Sequence, residues 1–323
     1  MNKISVALRA LVSLSLLGIL LFSVDFSQFA ELLRNVNGFY FVSYLLFGLV
    51  TTLLSSIKWD ILCNVFGIKA GILKLFAYYF IGYFYNNFLP TSVGGDVVRS
   101  LALSRYAKSK TDAFATVFVE RYTGLLTLVL FVIGVTISDV RLYGNFSVLF
   151  MSISLVFCFL LGSLFVFHPF FLTKIEEIIS WKFFHKITRR AKSLQESIYC
   201  YRESRKTLAY AMFWSILYYF STIIYTYIGL KAFNVDVAFS DALLAVPIML
   251  MIFLLPISLG GIGLQEWSHA FALSLLGVPP LIGVSLGLLF RFRTLIYSGI
   301  GGVISLCVFR KKVVAGKSTG SVL

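Results

Sequence analysis

Charged residues are scarce in this sequence, and no long polar segment interrupts it. They make up 13% of the 323 residues, whereas hydrophobic residues make up 59% and the mean hydropathy is +0.90. A soluble protein core cannot bury that much apolar surface, so the composition excludes a soluble globular protein. We predict an all-α integral membrane protein, with no room for a separate soluble catalytic domain.

Cysteine and histidine are too few and too scattered to indicate a metal centre. The four cysteines form no C-x-x-C pair, and His168, His185 and His269 are far apart in the sequence. There is no Walker loop, no H-E-x-x-H motif and no recognisable arrangement of nucleophile and base. We therefore expect no metal, no cofactor and no catalytic residues, and we interpret the cysteines as structural thiols.

Acidic residues are half as numerous as basic ones, 14 against 28, which leaves a formal net charge of +14. Such a surplus would suit nucleic acid, but most basic residues fall in short segments between apolar runs. That placement follows the positive-inside bias of membrane proteins. We therefore expect no nucleic-acid partner, and we expect the basic segments to be cytoplasmic.

Several apolar runs are long enough to cross a bilayer, which takes about 20 residues of helix. The six full spans that we predict are Ile4–Val24, Phe39–Ile57, Ala113–Ile137, Ser147–Phe167, Thr207–Phe233 and Leu281–Phe309. Two further apolar runs end at a break and are followed by a shorter segment. These pairs are Gly71–Leu89 with Val97–Tyr106, and Ala238–Leu255 with Leu264–Leu276.

Both breaks carry the same sequence pattern: the hexapeptide PTSVGG at 90–95 returns as PISLGG at 256–261. Proline removes a backbone donor, and paired glycines open conformations that are closed to other residues. Irregular backbone at membrane depth is tolerated where it is buried in protein or lines a cavity. Two matching breaks in two halves predict a substrate site, and simple helix kinks are the alternative.

The basic residues predict how the segments fold. If each break is the tip of a re-entrant hairpin, most basic residues fall on the cytoplasmic side. The regions on that side are the N-terminus, 58–74, 97–112, 168–206 and the C-terminal tail. We therefore predict six full spans plus two re-entrant helical hairpins in an inverted structural repeat. The predicted divisions are a membrane domain 1–310 with repeats 1–146 and 147–310, and a cytoplasmic tail 311–323.

The first hairpin carries residues suited to an anion. Gly94 and Gly95 let backbone amides turn inward, and free amides at a helix N-terminus bind anions. Arg99, one turn further, is a partner for a phosphate head group. Asp96 stands at a helix N-cap position, where capping and a substrate or proton role both fit. The candidate substrate-binding residues of this hairpin are Asn87, Ser92, Gly94, Gly95, Asp96 and Arg99.

Charged residues in apolar surroundings mark the second hairpin and the long spans. Glu266 needs a positive partner at this depth, and Arg291 in the last span is the first choice. Glu120 and Arg121 hold the equivalent place in the first half. Substrate binding and a structural ion-pair network between the halves are both open. The candidate substrate-binding residues here are Glu120, Arg121, Ser258, Gly260, Gly261, Gly263, Glu266, Arg291 and Arg293.

Three motifs together resemble one known family. They are N-x-x-P-x-x-x-G-G-D-x-x-R at 87–99, E-R-x-x-G at 120–124 and P-x-x-x-G-G-x-G-x-x-E at 256–266. The family is the lysylphosphatidylglycerol synthase transmembrane family, also described as flippase-like, and the resemblance covers nearly the whole chain. It implies a stand-alone lipid translocase module. The family's soluble aminoacyl transferase domain is not expected here, so lysyl transfer would belong to a separate soluble lipid-modifying enzyme.

Three functions remain open from the sequence. The leading hypothesis is a lipid translocase in a prokaryotic plasma membrane, with both termini cytoplasmic, whose partner is a membrane lipid with a phosphate head group. The second is an ion- or proton-coupled transporter of a small anion. The third is a membrane enzyme that modifies lipid head groups.

Overall fold

The computed structural model describes residues 15, 18, 26–88, 94–167, 182–255, 257–258 and 260–317, with side chains described except at 26, 88, 141, 143, 167, 182–190 and 309–317. All regular structure within these ranges is helical. The helices are α1 Phe26–Arg34, α2 Gly38–Cys63, α3 Ile72–Phe88, α4 Gly94–Leu103, α5 Lys110–Ser138, α6 Val140–Tyr143, α7 Phe146–Phe167, α8 Lys182–Glu203, α9 Arg205–Ala232, α10 Phe239–Phe253, α11 Leu264–Ser274 and α12 Pro280–Lys317. A short 3-10 turn, Asn64–Phe66, follows α2.

Five of the described helices are long and apolar enough to cross a membrane. They are α2 with its 3-10 turn, α5, α7, α9 and the Pro280–Val308 part of α12. Each matches one predicted span, with the C-terminal end of three of them one residue shorter than predicted, so the all-helical membrane architecture is confirmed. Nearly all of the sixth predicted span, Ile4–Val24, lies outside the described residues.

Each predicted hairpin consists of two shorter helices in contact. In the first half α3 packs against α4, and in the second half α10 packs against α11. The turn of the first hairpin, 89–93, and residues 256 and 259 of the second lie outside the described residues. The re-entrant path and the inverted repeat therefore stay predictions.

The central interface joins α2 to α9, which run antiparallel. At one end the Asn37 amide, just before α2, donates to the carbonyl of Ala232, the last residue of α9, at 2.8 Å. Midway along, the Tyr44 ring stacks on Tyr225 with centroids 4.1 Å apart. The Asn37 side chain also caps α2 by accepting from the Phe39 amide.

The predicted cytoplasmic loop contains a long helix, α8, that covers the opposite end of these spans. The Tyr201 hydroxyl donates to the carbonyl of Leu62 at 2.9 Å, and the Gln195 amide donates to the carbonyl of Val166 at 2.7 Å. Burial raises the pKa of the Tyr201 phenol, so the proton needed for this bond is retained. The loop is thus partly packed against the spans, whereas its first part, 168–181, lies outside the described residues.

One residue assigned to a cytoplasmic segment is buried instead. Lys58 was placed at the start of the basic region 58–74, but it lies inside α2 and is 4% exposed. Its ammonium group donates to the Glu120 carbonyl at 2.9 Å and to the Ser215 hydroxyl at 3.3 Å. The expectation was wrong because the helix continues through this lysine, where a partner on α5 compensates the charge.

The last helix, α12, makes close backbone contacts with both hairpins. A Cβ on Gly301 would collide with the carbonyl oxygen of Phe80 in α3. A Cβ on Gly283 would collide with the backbone of Ala270 in α11. Small residues at such crossings let membrane helices approach closely, and van der Waals packing then stabilises the pair. These glycines position both hairpins along one helix.

We expect Gly301→Ala to destabilise the fold by about 1–3 kcal/mol, because the added methyl group forces α3 away from α12. The measurement is the thermal unfolding temperature of the purified protein in detergent, which should fall. The matched control is Gly299→Ala on the same helix, where a Cβ meets nothing within 4 Å. Equal unfolding temperatures for the two variants would contradict a stabilising role for this contact.

Candidate functional site

The first half contains a chain of buried ion pairs that joins α2, α4 and α5. Glu120 lies between two cations, with Lys58 Nζ 3.6 Å from Oε1 and Arg99 Nη2 2.6 Å from Oε2. Arg99 Nε also donates to Asp96 at 3.0 Å. Asp96 in turn accepts two bonds from Arg121, each 2.9 Å long. Because every carboxylate has two cationic neighbours, none of these acids is left uncompensated at membrane depth.

The two arginines of this chain differ in accessibility. The Arg99 side chain is 1% exposed and is covered by the rings of Trp59 and Tyr79, at 4.8 and 4.6 Å from its guanidinium carbon. The Arg121 side chain is 59% exposed, although it lies near the middle of α5. An accessible arginine within an apolar helix is a candidate for a functional group. Arg121 is therefore the residue of this cluster that can meet a ligand directly.

The start of α4 differs from the anion cradle that the sequence suggested. The Gly95 amide is bonded to Oδ1 of Asn86 at 2.7 Å, so Asn86 satisfies this donor. A Cβ on Gly95 would collide with the carbonyl oxygen of Gly82. This glycine therefore permits close packing of α4 on α3. Asp96 lies in the first turn, not at the N-cap, and its carboxylate binds arginines.

The second half contains a simpler ion pair, between α11 and α12. Arg291 Nε lies 2.5 Å from Glu266 Oε1, and Arg291 Nη2 donates to the carbonyl of Gly261 at 2.9 Å. The other carboxylate oxygen of Glu266 accepts from the Gly263 amide at 2.9 Å. Positive φ angles of 60°, 74° and 78° at Gly260, Gly261 and Gly263 make this turn possible. The structure thus brings together the acid and the arginine that the sequence paired.

The two halves share one geometric rule. Asp96 is the third residue of α4, and Glu266 is the third residue of α11. Each binds an arginine 25 residues further along the chain, on the long helix that follows its hairpin. The hydroxyl-bearing Ser258 is half-buried, and Ser92 lies outside the described residues.

A cavity of about 340 Å³ lies where the two hairpins meet. Asn87 at the end of α3 and Gly260 in the turn of the second hairpin both line it, together with the ion pair of Glu266 and Arg291. The remaining lining residues are apolar: Ile262, Leu288 and Leu295. Polar groups thus converge on one side of an otherwise apolar space, which is the usual character of a ligand site.

Arg293 is separate from this cavity, although it is only two residues from Arg291. Its guanidinium carbon lies 4.7 Å from the Tyr225 ring, 4.5 Å from Phe290 and 5.3 Å from Tyr297. No acid pairs with it among the residues that the structure describes. The sequence grouped both arginines at one site, but the structure places them in different surroundings. Positions two apart face different sides of a helix.

Sequence reasoning missed several residues that support the site. Lys58 was counted as a loop residue, and Trp59 and Tyr79, which cover Arg99, were not considered. A lysine followed by tryptophan within an apolar run was the available signal for Lys58. His269 is buried with Nδ1 2.7 Å from the Gln265 carbonyl, as expected for an interior histidine. Within the described ranges no group of histidine, cysteine, aspartate and glutamate could hold a metal ion.

The comparisons with known proteins find one family. Residues 6–302 match the family model described as the lysylphosphatidylglycerol synthase TM region. No curated protein matches the chain, and no solved structure matches it. The match extends over both ion-pair clusters and the cavity between the hairpins.

We expect Glu120→Gln to destabilise the protein by about 3–5 kcal/mol, since it leaves two buried cations without their shared carboxylate. The unfolding temperature in detergent and the yield of folded protein should both fall. The control is Glu196→Gln, because Glu196 is exposed on α8 and its loss should change stability by less than about 0.5 kcal/mol. A Glu120 variant as stable as this control would contradict a structural role for the cluster.

Proposed function

The chain belongs to this family, and on that basis we propose that it is an integral membrane lipid translocase. The substrate would be a lipid with a polar or anionic head group, which moves between leaflets while its acyl chains stay in the bilayer. The cavity between the two hairpins would hold the head group. Family membership supports a phospholipid-related role; translocation and the identity of the head group are our inference.

The mixed lining of the cavity is the observation that carries this proposal. Arg291 and Asn87 supply polar contacts, while Leu288 and Leu295 supply apolar surface in the same space. A lipid likewise combines a polar part, its charged head group, with an apolar part, its hydrocarbon chains. Moving the head group through bare hydrocarbon would cost many kcal/mol, and a polar lining lowers that cost.

The charge balance supports an anionic head group. In the first cluster three cations, Lys58, Arg99 and Arg121, share only two carboxylates. The surplus positive charge is accessible at Arg121, whose guanidinium matches the geometry of a phosphate. A cationic substrate would be repelled by this surplus, whereas an anionic one would neutralise it.

Each arginine can bind a ligand without stranding its carboxylate. If Arg121 turns to a phosphate, Asp96 keeps its bond to Arg99 at 3.0 Å. If Arg291 does so, Glu266 keeps its bond to the Gly263 amide at 2.9 Å. The buried acids therefore stay hydrogen-bonded in both states, which lowers the cost of exchanging a protein carboxylate for a lipid phosphate.

We also propose that the two halves form an inverted repeat with re-entrant hairpins. The antiparallel helices α2 and α9 each precede a hairpin, and α12 packs on α3 as α5 packs on α10. The shared 25-residue spacing of acid and arginine supports the same equivalence. In many transporters such repeats meet at a substrate site near the membrane midplane.

The remaining assignments follow from the basic segments and the family. We propose a prokaryotic plasma membrane, with both termini in the cytoplasm, and a soluble lipid-modifying enzyme as supplier of the substrate. Transport of a small soluble anion is the competing function, because the same arginines would bind it. Uptake of an anion by sealed vesicles without any lipid movement would favour that alternative.

We expect Arg121→Gln to slow lipid transfer by about 10–100-fold, because a hydrogen bond to a charged group contributes about 1.5–3 kcal/mol. The measurement is the transbilayer movement of fluorescent phosphatidylglycerol in liposomes that contain the purified protein. The variant should still fold, since Asp96 retains Arg99. The charge-matched control is Arg202→Gln on the exposed side of α8, which should transfer lipid normally.

We also expect phosphatidylglycerol or another anionic phospholipid to co-purify with the protein. Mass spectrometry of lipid extracted from the wild type and from Arg121→Gln would show enrichment only in the wild type, relative to the host membrane. Transfer by Arg121→Gln at the wild-type rate, with equal lipid content, would contradict the role proposed for Arg121 in binding the lipid phosphate.

A further inference from the structure

Arg293 is a buried cation whose hydrogen-bonding groups are not satisfied by the described part of the protein. The residue is 5% exposed, and its Nε–H has no hydrogen-bond partner. No hydrogen bond or ion pair joins its guanidinium to any described residue. A guanidinium carries five N–H donors and no acceptor, so it calls for a partner that supplies oxygen atoms.

Two buried phenol groups lie next to Arg293. Tyr44 is 1% exposed and Tyr225 is 3% exposed, and their hydroxyls interact only with each other, without forming a hydrogen bond of good geometry, among the residues that the structure describes. The Tyr225 ring also contacts the guanidinium of Arg293, and the Tyr44 ring stacks on Tyr225. By contrast, the Tyr297 hydroxyl in the same group is satisfied, because it donates to the carbonyl of Leu45 at 2.7 Å.

Arg99 provides an internal comparison for this arrangement. Its guanidinium is also buried and stacks on two aromatic rings, but it additionally binds the carboxylates of Asp96 and Glu120. Aromatic faces attract the charge of an arginine, but they do not accept its in-plane N–H bonds. Arg99 also has one buried N–H group, at Nη1, without a partner, so the two arginines differ in charge pairing and not in this respect. Arg293 has three aromatic neighbours and no acidic partner within the described part of the chain.

The position of Arg293 is set by a glycine on the facing helix. A Cβ on Gly48 of α2 would lie 2.7 Å from both Cδ and Nη1 of Arg293, and 2.8 Å from the Tyr297 hydroxyl. The absence of a side chain at Gly48 therefore makes room for the guanidinium at the α2–α9 interface. This location is distinct from the cavity of Arg291, which α11 and the end of α3 line.

We propose that Arg293, Tyr44 and Tyr225 form a second anion site, which binds a phosphate-type oxyanion. An oxyanion has several acceptor oxygens, which suit the N–H groups of a guanidinium and phenol hydroxyls, and it would neutralise the buried charge of Arg293. The role of this site, to hold a lipid phosphate during transfer, rests on the proposed function. Binding itself does not depend on transport, and inorganic phosphate has the same chemistry.

The test measures binding to the full-length protein in detergent, by isothermal titration calorimetry at constant ionic strength. The probes are inorganic phosphate and, separately, water-soluble dihexanoyl phosphatidylglycerol. We expect at least one probe to bind the wild type, and Arg293→Gln to weaken that binding by at least about tenfold. Binding of the lipid alone identifies a head-group site, and binding of inorganic phosphate as well identifies a general oxyanion site.

The Tyr44→Phe/Tyr225→Phe double variant distinguishes a loss of anion binding from a loss of the folded structure. It keeps the ring stack and removes only the two hydroxyls, so binding should weaken by about tenfold or more. Without ligand, its unfolding temperature should stay close to that of the wild type, because both hydroxyls are removed together and neither leaves the other without its neighbour. A purely structural role for the hydroxyls predicts a clear fall. Arg202→Gln controls for net charge and should bind as the wild type does.

The proposal is overturned if neither probe binds the wild type, or if binding survives in both the Arg293 variant and the double variant. Loss of binding in Arg291→Gln with full retention in Arg293→Gln would assign the anion to the cavity and would also overturn it. Phosphate binding without lipid transfer would support this site and contradict the proposed function. Lipid transfer by the wild type, together with unchanged anion binding in the Arg293 variant, would support the proposed function and contradict this site.

Discussion

The structure depends on carboxylates that hold arginines in place within apolar surroundings. Asp96 and Glu266 each stand in the first turn of the second hairpin helix and bind an arginine on the following long helix. Breaking such a pair would leave a buried charge uncompensated at a large cost, so the pairs tie each hairpin to its helix. The second pair places Arg291 in the cavity between the hairpins, and the first leaves Arg121 accessible.

Close helix packing makes this electrostatic arrangement possible. Gly95 lets α4 approach α3, and Gly283 and Gly301 let α12 touch both hairpins. The hairpins thereby meet at one cavity. Asn87 of the first hairpin, Gly260 of the second and Arg291 all line it. Packing and charge pairing therefore act together: the glycines set the distances, and the ion pairs set the orientation of the charged groups.

The division of roles among the arginines could not be read from the chain. Arg99 and Arg121 both appeared as phosphate partners, yet one is sealed by aromatic rings and the other is accessible. Arg291 and Arg293 were grouped, yet they face different neighbours. Lys58 was assigned to a loop and is buried against Glu120. Exposure depends on which helices surround a residue, and sequence spacing does not contain that information.

The sequence by itself determined the helical membrane architecture, five of the long spans, the family and the pairing of Glu266 with Arg291. These follow from hydropathy, motif spacing and the rule that a buried acid needs a cation, all of which act locally or pairwise. Only the tertiary structure decided that Asn86 satisfies the Gly95 amide, that the two hairpins share a cavity, and that Arg293 has no acidic partner among the described residues. Those features arise where helices distant in sequence cross, and the crossings depend on packing across the whole molecule.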